Sequence, residues 1–128
     1  MKKKLILLFS HKLTKEQLHE AKDNWNISEF VNMPDDLQNQ WSNVPPNLEN
    51  IIAYLTNIRL WLHDIANPDD YILIQGDFGA TYYFVNLAFK NKLTPVYSTT
   101  KRIHTEKEMS DGSIEIQKSF QHQMFRNY

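Results

Sequence analysis

The stretch Tyr71-Ile72-Leu73-Ile74-Gln75-Gly76-Asp77-Phe78-Gly79-Ala80-Thr81 constrains the fold of this chain more than any other. Its apolar run stops abruptly at a polar Gln-Gly-Asp, a second glycine follows, and a long, mostly apolar segment begins. A short unbroken apolar run is the pattern of a strand covered on both faces. The two glycines permit a sharp turn and a close approach of another molecule to the backbone. A helix starting at that turn presents amides without internal partners at its positive end, which favours phosphate. The Gly-x-x-Gly spacing is neither the dinucleotide fingerprint nor a P-loop, since no Gly-Lys-Ser/Thr follows. Two readings stand side by side: the floor of a ligand site, or a plain βα turn in which Asp77 only caps the next helix.

The flanking sequence supplies the rest of a sheet. Lys4 to Ser10 is nearly all aliphatic and predicts a central first strand. Thr14 as N-cap with Gln17 three residues on makes a capping box, and Leu13 with Leu18 a hydrophobic staple. That helix is expected to run to about Asp23, with Leu18, Ala21 and Trp25 facing inward. Ile27 to Met33 reads as a second strand, and Pro34 opens a short helix ending near Ser42. Beyond Pro45-Pro46, Leu48, Ile51, Ile52, Leu55, Ile58, Leu62 and Ile65 recur at helical spacing, as a core stripe or a dimer face.

A helix from Ala80 to about Asn91, apolar on most sides, predicts deep burial, in part against a second subunit. Leu93 to Ser98 is the next strand, ending in Thr99-Thr100-Lys101-Arg102. Ser110-Asp111-Gly112-Ser113 predicts the turn of a β-hairpin whose second arm sets Ile114, Ile116, Phe120, His122 and Met124 on one face. Strands alternating with helices predict one α/β domain over residues 1–128. Its sheet is mainly parallel, flanked by helices, and extended by a C-terminal β-hairpin.

Ligands of such sheets sit beyond the carboxyl ends of the strands. Three polar clusters fall there: Ser10-His11, Gln75 to Thr81, and Thr99 to Arg102. Hydroxyls, outward amides, Lys101 and Arg102 make a phosphodiester-binding set; as plain structure, the two cations are solvated residues at the start of the hairpin. His11 titrates near neutrality and suits proton transfer. The five histidines are scattered without a His-x-x-x-His pair, so no metal and no cofactor are expected. Trp25, Trp41 and Trp61 offer faces on which a base can stack, core packing being the stronger reading for Trp61.

Composition narrows the classes further. A net charge of -1 argues against a protein that coats long nucleic acid. The absence of cysteine removes disulfides, thiol nucleophiles and zinc-thiolate sites, and is compatible with a reducing cytosol. The basic Met1-Lys2-Lys3-Lys4 precedes an apolar run too short for a signal peptide, and no run suits a membrane span. A cytoplasmic protein away from membranes is expected.

Four blocks carry a family resemblance: Leu8-Phe9-Ser10-His11, Trp41-Ser42-Asn43-Val44-Pro45-Pro46, Gln75 to Tyr82, and Pro95 to Arg102. With the aromatic-basic end Phe125-Arg126-Asn127-Tyr128, they resemble the small stand-alone CRISPR-associated ring nucleases of the Csx group. The resemblance implies a Rossmann-like, CARF-like fold and a homodimer that binds cyclic oligoadenylate, above all cyclic tetra-adenylate, across a two-fold axis. It implies metal-independent cleavage, with a ribose 2′-hydroxyl attacking the adjacent phosphate to leave a 2′,3′-cyclic phosphate and switch off type III CRISPR signalling. On that reading His11, Lys101 and Arg102 are catalytic, while Ser10, Gln75, Gly76, Asp77, Phe78, Gly79, Ala80, Thr81, Thr99 and Thr100 hold the ring. The alternatives are a sensor or sponge that binds the ring uncut, an unrelated small hydrolase or nucleotide-binding protein, and a structural partner of another CRISPR protein.

Overall fold

The apolar runs and helix signals assemble into a mixed α/β structure. The computed structural model describes residues 3–128, so Met1 and Lys2 of the basic lead-in lie outside the described residues. In chain order the elements are β1 (Lys3–Leu8), α1 (Lys15–Asn24), β2 (Ile27–Asn32), α2 (Asp35–Ser42), α3 (Thr56–Ile65), β3 (Tyr71–Ile74), α4 (Phe78–Lys90), β4 (Thr94–Glu108) and β5 (Ile114–Asn127). The five strands form one sheet in the order β2-β1-β3-β4-β5. The first three pairings are parallel and only β4 with β5 is antiparallel.

Helices cover both faces. On one, α2, α3 and α4 bury Trp41, Ile58, Leu62, Ala80, Phe84 and Ala88 against Ile6, Leu8, Ile72 and Ile74. On the other, Ala21 of α1 and Ile27 pack on Leu5, Leu7, Leu73, Val96 and Phe125. Leu5, Ile6, Ile72, Leu73 and Ile74 are all 0% exposed, as strands sandwiched between helices require. The capping box forms as its sequence predicts: Thr14 Oγ1 accepts from the Gln17 amide and Gln17 Oε1 from that of Thr14.

Several expectations need correction. The apolar stripe does not make one long helix, because α3 begins only at Thr56. Pro45 and Pro46 hold the preceding chain in turns, and the Asn50 side chain accepts the Ile52 amide at 2.9 Å. That local bond competes with the helical ladder. Leu48 and Ile52 consequently lie exposed. The first strand stops at Leu8, leaving Ser10 and His11 in the following bend. The glycine-turn helix starts at Phe78 rather than Ala80, and it is not deeply buried all round: Phe78, Tyr82 and Phe89 face outward.

The largest departure is the length of the hairpin. β4 does not end at Ser98 but continues to Glu108, paired with β5 throughout. The run from Thr94 to Thr105 is rich in Val, Tyr, Thr and Ile, residues that suit a pleated surface. A bulge places Met124 opposite Thr99 and His122 opposite Thr100, leaving Gln123 as the extra residue. His122 therefore shares its face with Phe125, their rings 4.8 Å apart, and not with Met124. Gly112 turns the hairpin at φ 85°, a left-handed conformation natural to glycine.

No helix among the described residues is long and apolar enough to cross a membrane. The two fates of the apolar stripe can be separated by urea denaturation. Ile58→Ala, buried in α3, should lose about 2–5 kcal/mol of stability, while Leu48→Ala, outside any helix, should stay within about 0.5 kcal/mol.

Candidate functional site

The chain runs from β1 to β2 on one side and returns to β3 on the other, so the β1–β3 junction is where strand order reverses. A crevice at the carboxyl ends of the strands is the usual ligand position in such sheets. Gln75 stands at that point and ties it together. Its amide donates to the Leu8 carbonyl at 3.1 Å, and its own carbonyl accepts the Trp41 indole N–H at 3.0 Å. Its side-chain oxygen accepts the Ser98 amide at 2.9 Å. Gln75 thus extends the sheet by side chain after the backbone has turned away.

The turn that follows is built partly for packing. A Cβ on Gly76 would stand 2.8 Å from the Trp41 ring, so Trp41 takes the close approach that glycine allows here. Trp41 is itself 1% exposed, which places it in the core rather than on a ligand. Asp77 caps α4, its Oδ2 accepting the Ala80 amide at 3.0 Å while its carbonyl takes that of Thr81 at 2.8 Å. The amides of Phe78 and Gly79 precede any possible intrahelical acceptor and stay at the positive end of the helix. Thr81 Oγ1 is buried without a protein partner. Phe78 projects beside them with 95% of its surface exposed.

The structure divides the remaining predicted residues. Ser10 offers its carbonyl to Gln38 Nε2 at 3.3 Å. His11 packs edge-on to Phe9 and lines a cavity of about 420 Å³ with Lys12, Asn32, Asp35 and Gln38. No residue of Gln75 to Thr81 lines that cavity. Gly79 instead lines a cavity of about 380 Å³ with Ile51, Ile52 and Tyr82. Thr99, Thr100, Lys101 and Arg102 lie within β4, not in a loop after it. Alternation sends Thr99 and Lys101 to the α4 face, and Thr100 and Arg102 to the α1 face. The Thr99 hydroxyl is engaged at the bulge, donating to the Met124 carbonyl at 3.0 Å and accepting its amide at 3.2 Å. Arg102 lies 5.5 Å over the Phe120 ring.

Sequence reasoning missed a buried polar chain on the α1 face. Ser98 Oγ lies 2.5 Å from His122 Nδ1, and His122 Nε2 lies 2.5 Å from Glu20 Oε1. Glu20 also accepts the Phe125 amide and the Trp25 indole N–H. The order Ser–His–Glu has the form of a nucleophile triad. Ser98 is only 8% exposed, however, and lines none of the cavities described in this subsection. The chain acts as a clamp between α1 and the root of the hairpin. Its only sequence signal is His122 at an alternating apolar position. A second missed group flanks β3: Tyr128 donates its hydroxyl to the Ile74 carbonyl, and Arg126 Nη1 donates to Tyr97 Oη at 2.9 Å. Burial, and secondarily the neighbouring Tyr97, push the Tyr128 hydroxyl pKa up.

A family model described as the uncharacterized protein MJ1673 family matches residues 3–126. The chain belongs to that family. It is similar to the uncharacterized protein MJ1673 of Methanocaldococcus jannaschii, 49% identical over 125 residues that span 98% of this chain and 96% of the relative. No solved structure matches. Among the described residues no group of three or more His, Cys, Asp or Glu stands close enough to hold a metal ion.

Two substitutions measure how much of the site is scaffold. Gly76→Ala should destabilise by about 1–3 kcal/mol, because the buried Trp41 ring has little room to move. Glu20→Ala leaves the Phe125 amide and the Trp25 indole N–H without their acceptor. It should cost about 3 kcal/mol or more, at 1–3 kcal/mol per buried orphan. Urea titration checks both.

Proposed function

We propose that this protein is a ring nuclease that binds and cleaves cyclic oligoadenylate, with cyclic tetra-adenylate as its substrate. On this reading the β2-β1-β3-β4 order is a Rossmann-like sheet of the CARF kind, and the protein acts as a cytoplasmic homodimer that ends type III CRISPR signalling. The observation that carries the reading is the start of α4. There, free helix-end amides, the unpartnered Thr81 hydroxyl and the exposed Phe78 ring lie within one helical turn. Amides at a helix N-terminus suit a phosphate, and an exposed aromatic ring beside them suits a base by stacking. The four sequence blocks that resemble the Csx group add the substrate.

Cleavage then needs no protein nucleophile. The ribose 2′-oxygen attacks the adjacent phosphorus, the bond to the 5′-oxygen breaks, and the 2′-hydroxyl proton leaves to solvent. The departing 5′-oxygen takes up a proton, and a 2′,3′-cyclic phosphate remains. Positioning by the turn and stabilisation of developing charge supply the acceleration. Lys101, on the sheet face that carries α4, is the cation of that step. Arg102 points to the other face and His11 to another cavity, so neither takes part.

The location of His11 favours a second reading, in which the ring is held but not cut, because the turn has no histidine and its one carboxylate, Asp77, is engaged in capping α4. Incubation with cyclic tetra-adenylate in EDTA, followed by mass spectrometry, separates the two. The nuclease yields linear fragments with 2′,3′-cyclic phosphate ends, and Lys101→Ala should slow it on the order of 100-fold. Phe78→Ala should weaken binding roughly tenfold through lost stacking, while His11→Ala should change neither. A bound, intact ring makes the protein a sponge. An intact ring that does not bind at all overturns the proposal.

A further inference from the structure

From Tyr97 onward β4 has no partner but β5, because its pairing with β3 ends at Val96. Beyond the clamp at Ser98, His122 and Phe125 the two strands continue together to Glu108 and Ile114 as a ribbon largely exposed on both faces. A lone two-stranded ribbon is marginally stable in water and gains from packing on something else. The face on the α1 side is the one with something to bury. Its β5 column carries Phe120, Ile116 and Ile114, which are 66%, 59% and 63% exposed. Its β4 column carries Arg102, His104, Glu106 and Glu108, which stand opposite Phe120, Lys118, Ile116 and Ile114.

Charge on that face is graded. The root is basic, with Arg102, His104 and Lys118, and the tip acidic, with Glu106 and Glu108. Such a face is complementary to itself when one copy is reversed. We propose that it is a homodimer interface in which two ribbons stack face to face and antiparallel. The two-fold axis lies between them and perpendicular to the strands. That operation keeps the β4 column over the β4 column and reverses its order.

Arg102 then faces Glu108 of the partner subunit, and His104 faces Glu106 of the partner subunit. Phe120 covers Ile114 of the partner subunit, and Ile116 lies on the aliphatic stem of Lys118 of the partner subunit. Stacking with the axis along the strands lays the β4 column over the β5 column of the partner and keeps its order. Basic root then meets basic root, with His104 over Lys118 of the partner subunit, and acidic tip stands level with acidic tip, which like-charge repulsion disfavours. The charge gradient therefore selects both the occupant and its direction. Arg102 and Glu108 are six residues apart, about 20 Å along a strand. The two sheets therefore lie at opposite ends of the stacked ribbons, and each keeps its own Gly76 turn. Two ligands per dimer follow from this pairing, whereas one ring shared on the axis requires pairing through another face. The apolar residues on the outer side of α4, Tyr82 and Phe89 among them, are the competing surface.

The interface does not depend on the ring reading, so the test uses the full chain without ligand, and its failure is separable from failure of the cleavage assay. Sedimentation equilibrium at tens of micromolar should show a dimer. Phe120→Glu, at a position two-thirds exposed, should give a monomer with an unchanged circular dichroism spectrum. Arg102→Glu and Glu108→Arg should each weaken the dimer about tenfold, and the double variant should restore it to within about threefold, as paired charges do in a double-mutant cycle. A monomeric wild type overturns the interface. So does a dimer indifferent to Phe120→Glu, or one broken instead by Tyr82→Glu. Single charge variants that are not rescued by the double overturn the antiparallel register.

Discussion

The three hydrogen bonds of Gln75 hold the carboxyl edge of the sheet in place, and the candidate site stands on them. By donating to Leu8, accepting from Trp41 and accepting the Ser98 amide, Gln75 joins β1, α2 and β4 at the point where β3 ends. Each group bonded is buried or partly so, and a backbone donor left without an acceptor there costs about 1–3 kcal/mol. The turn can leave the sheet sharply because the side chain takes over the ladder contact that the backbone gives up. Gly76 follows directly because Trp41, the residue that satisfies the Gln75 carbonyl, fills the space a side chain would need.

A comparable division of labour holds the ribbon. β4 and β5 gain little from the sheet beyond Ser98, so their direction is set at the root. There Glu20 of α1 receives the Phe125 amide, the His122 ring and the Trp25 indole. A carboxylate with all these donors is well satisfied despite its burial, which is the condition under which buried polar networks stabilise a structure. The bulge at Gln123 makes this possible, since it turns His122 and Phe125 onto the same face. Without the extra residue His122 would point with Met124, away from α1, and the clamp would have no central member.

The sequence made the local features legible and left the long-range ones hidden. The capping box of α1, the extent of α2, the continuous apolar strands β1 and β3 and the hairpin turn at Gly112 are written in contiguous residues. The structure has them where periodicity and turn chemistry put them, save that β1 ends at Leu8 rather than Ser10. The stripe from Leu48 to Ile65 failed because apolar spacing says nothing of an Asn50 side chain bonded to the chain two residues on. The clamp left no trace but His122 among alternating apolar positions, since Glu20 and His122 are 102 residues apart. The clusters Ser10-His11 and Gln75 to Thr81 do follow the ends of β1 and β3, but Thr99 to Arg102 lies inside β4, and its orientation depends on where β4 stops. That is a tertiary property of its pairing with β5.

That last dependence decides how the cations are used. As loop residues after a short strand, Lys101 and Arg102 would both be free to reach one phosphodiester. As consecutive residues of a paired strand they are held about 180° apart in direction, and the strand two residues before them is pinned by the Thr99 bulge bonds. One cation is left to the face of the glycine turn, and the other to the face where Phe120 accepts it. A single extension of β4 thereby divides what looked like one basic patch into two surfaces of different chemistry. One lies on the side of the sheet that carries α4, and the other begins a graded, half-apolar ribbon face.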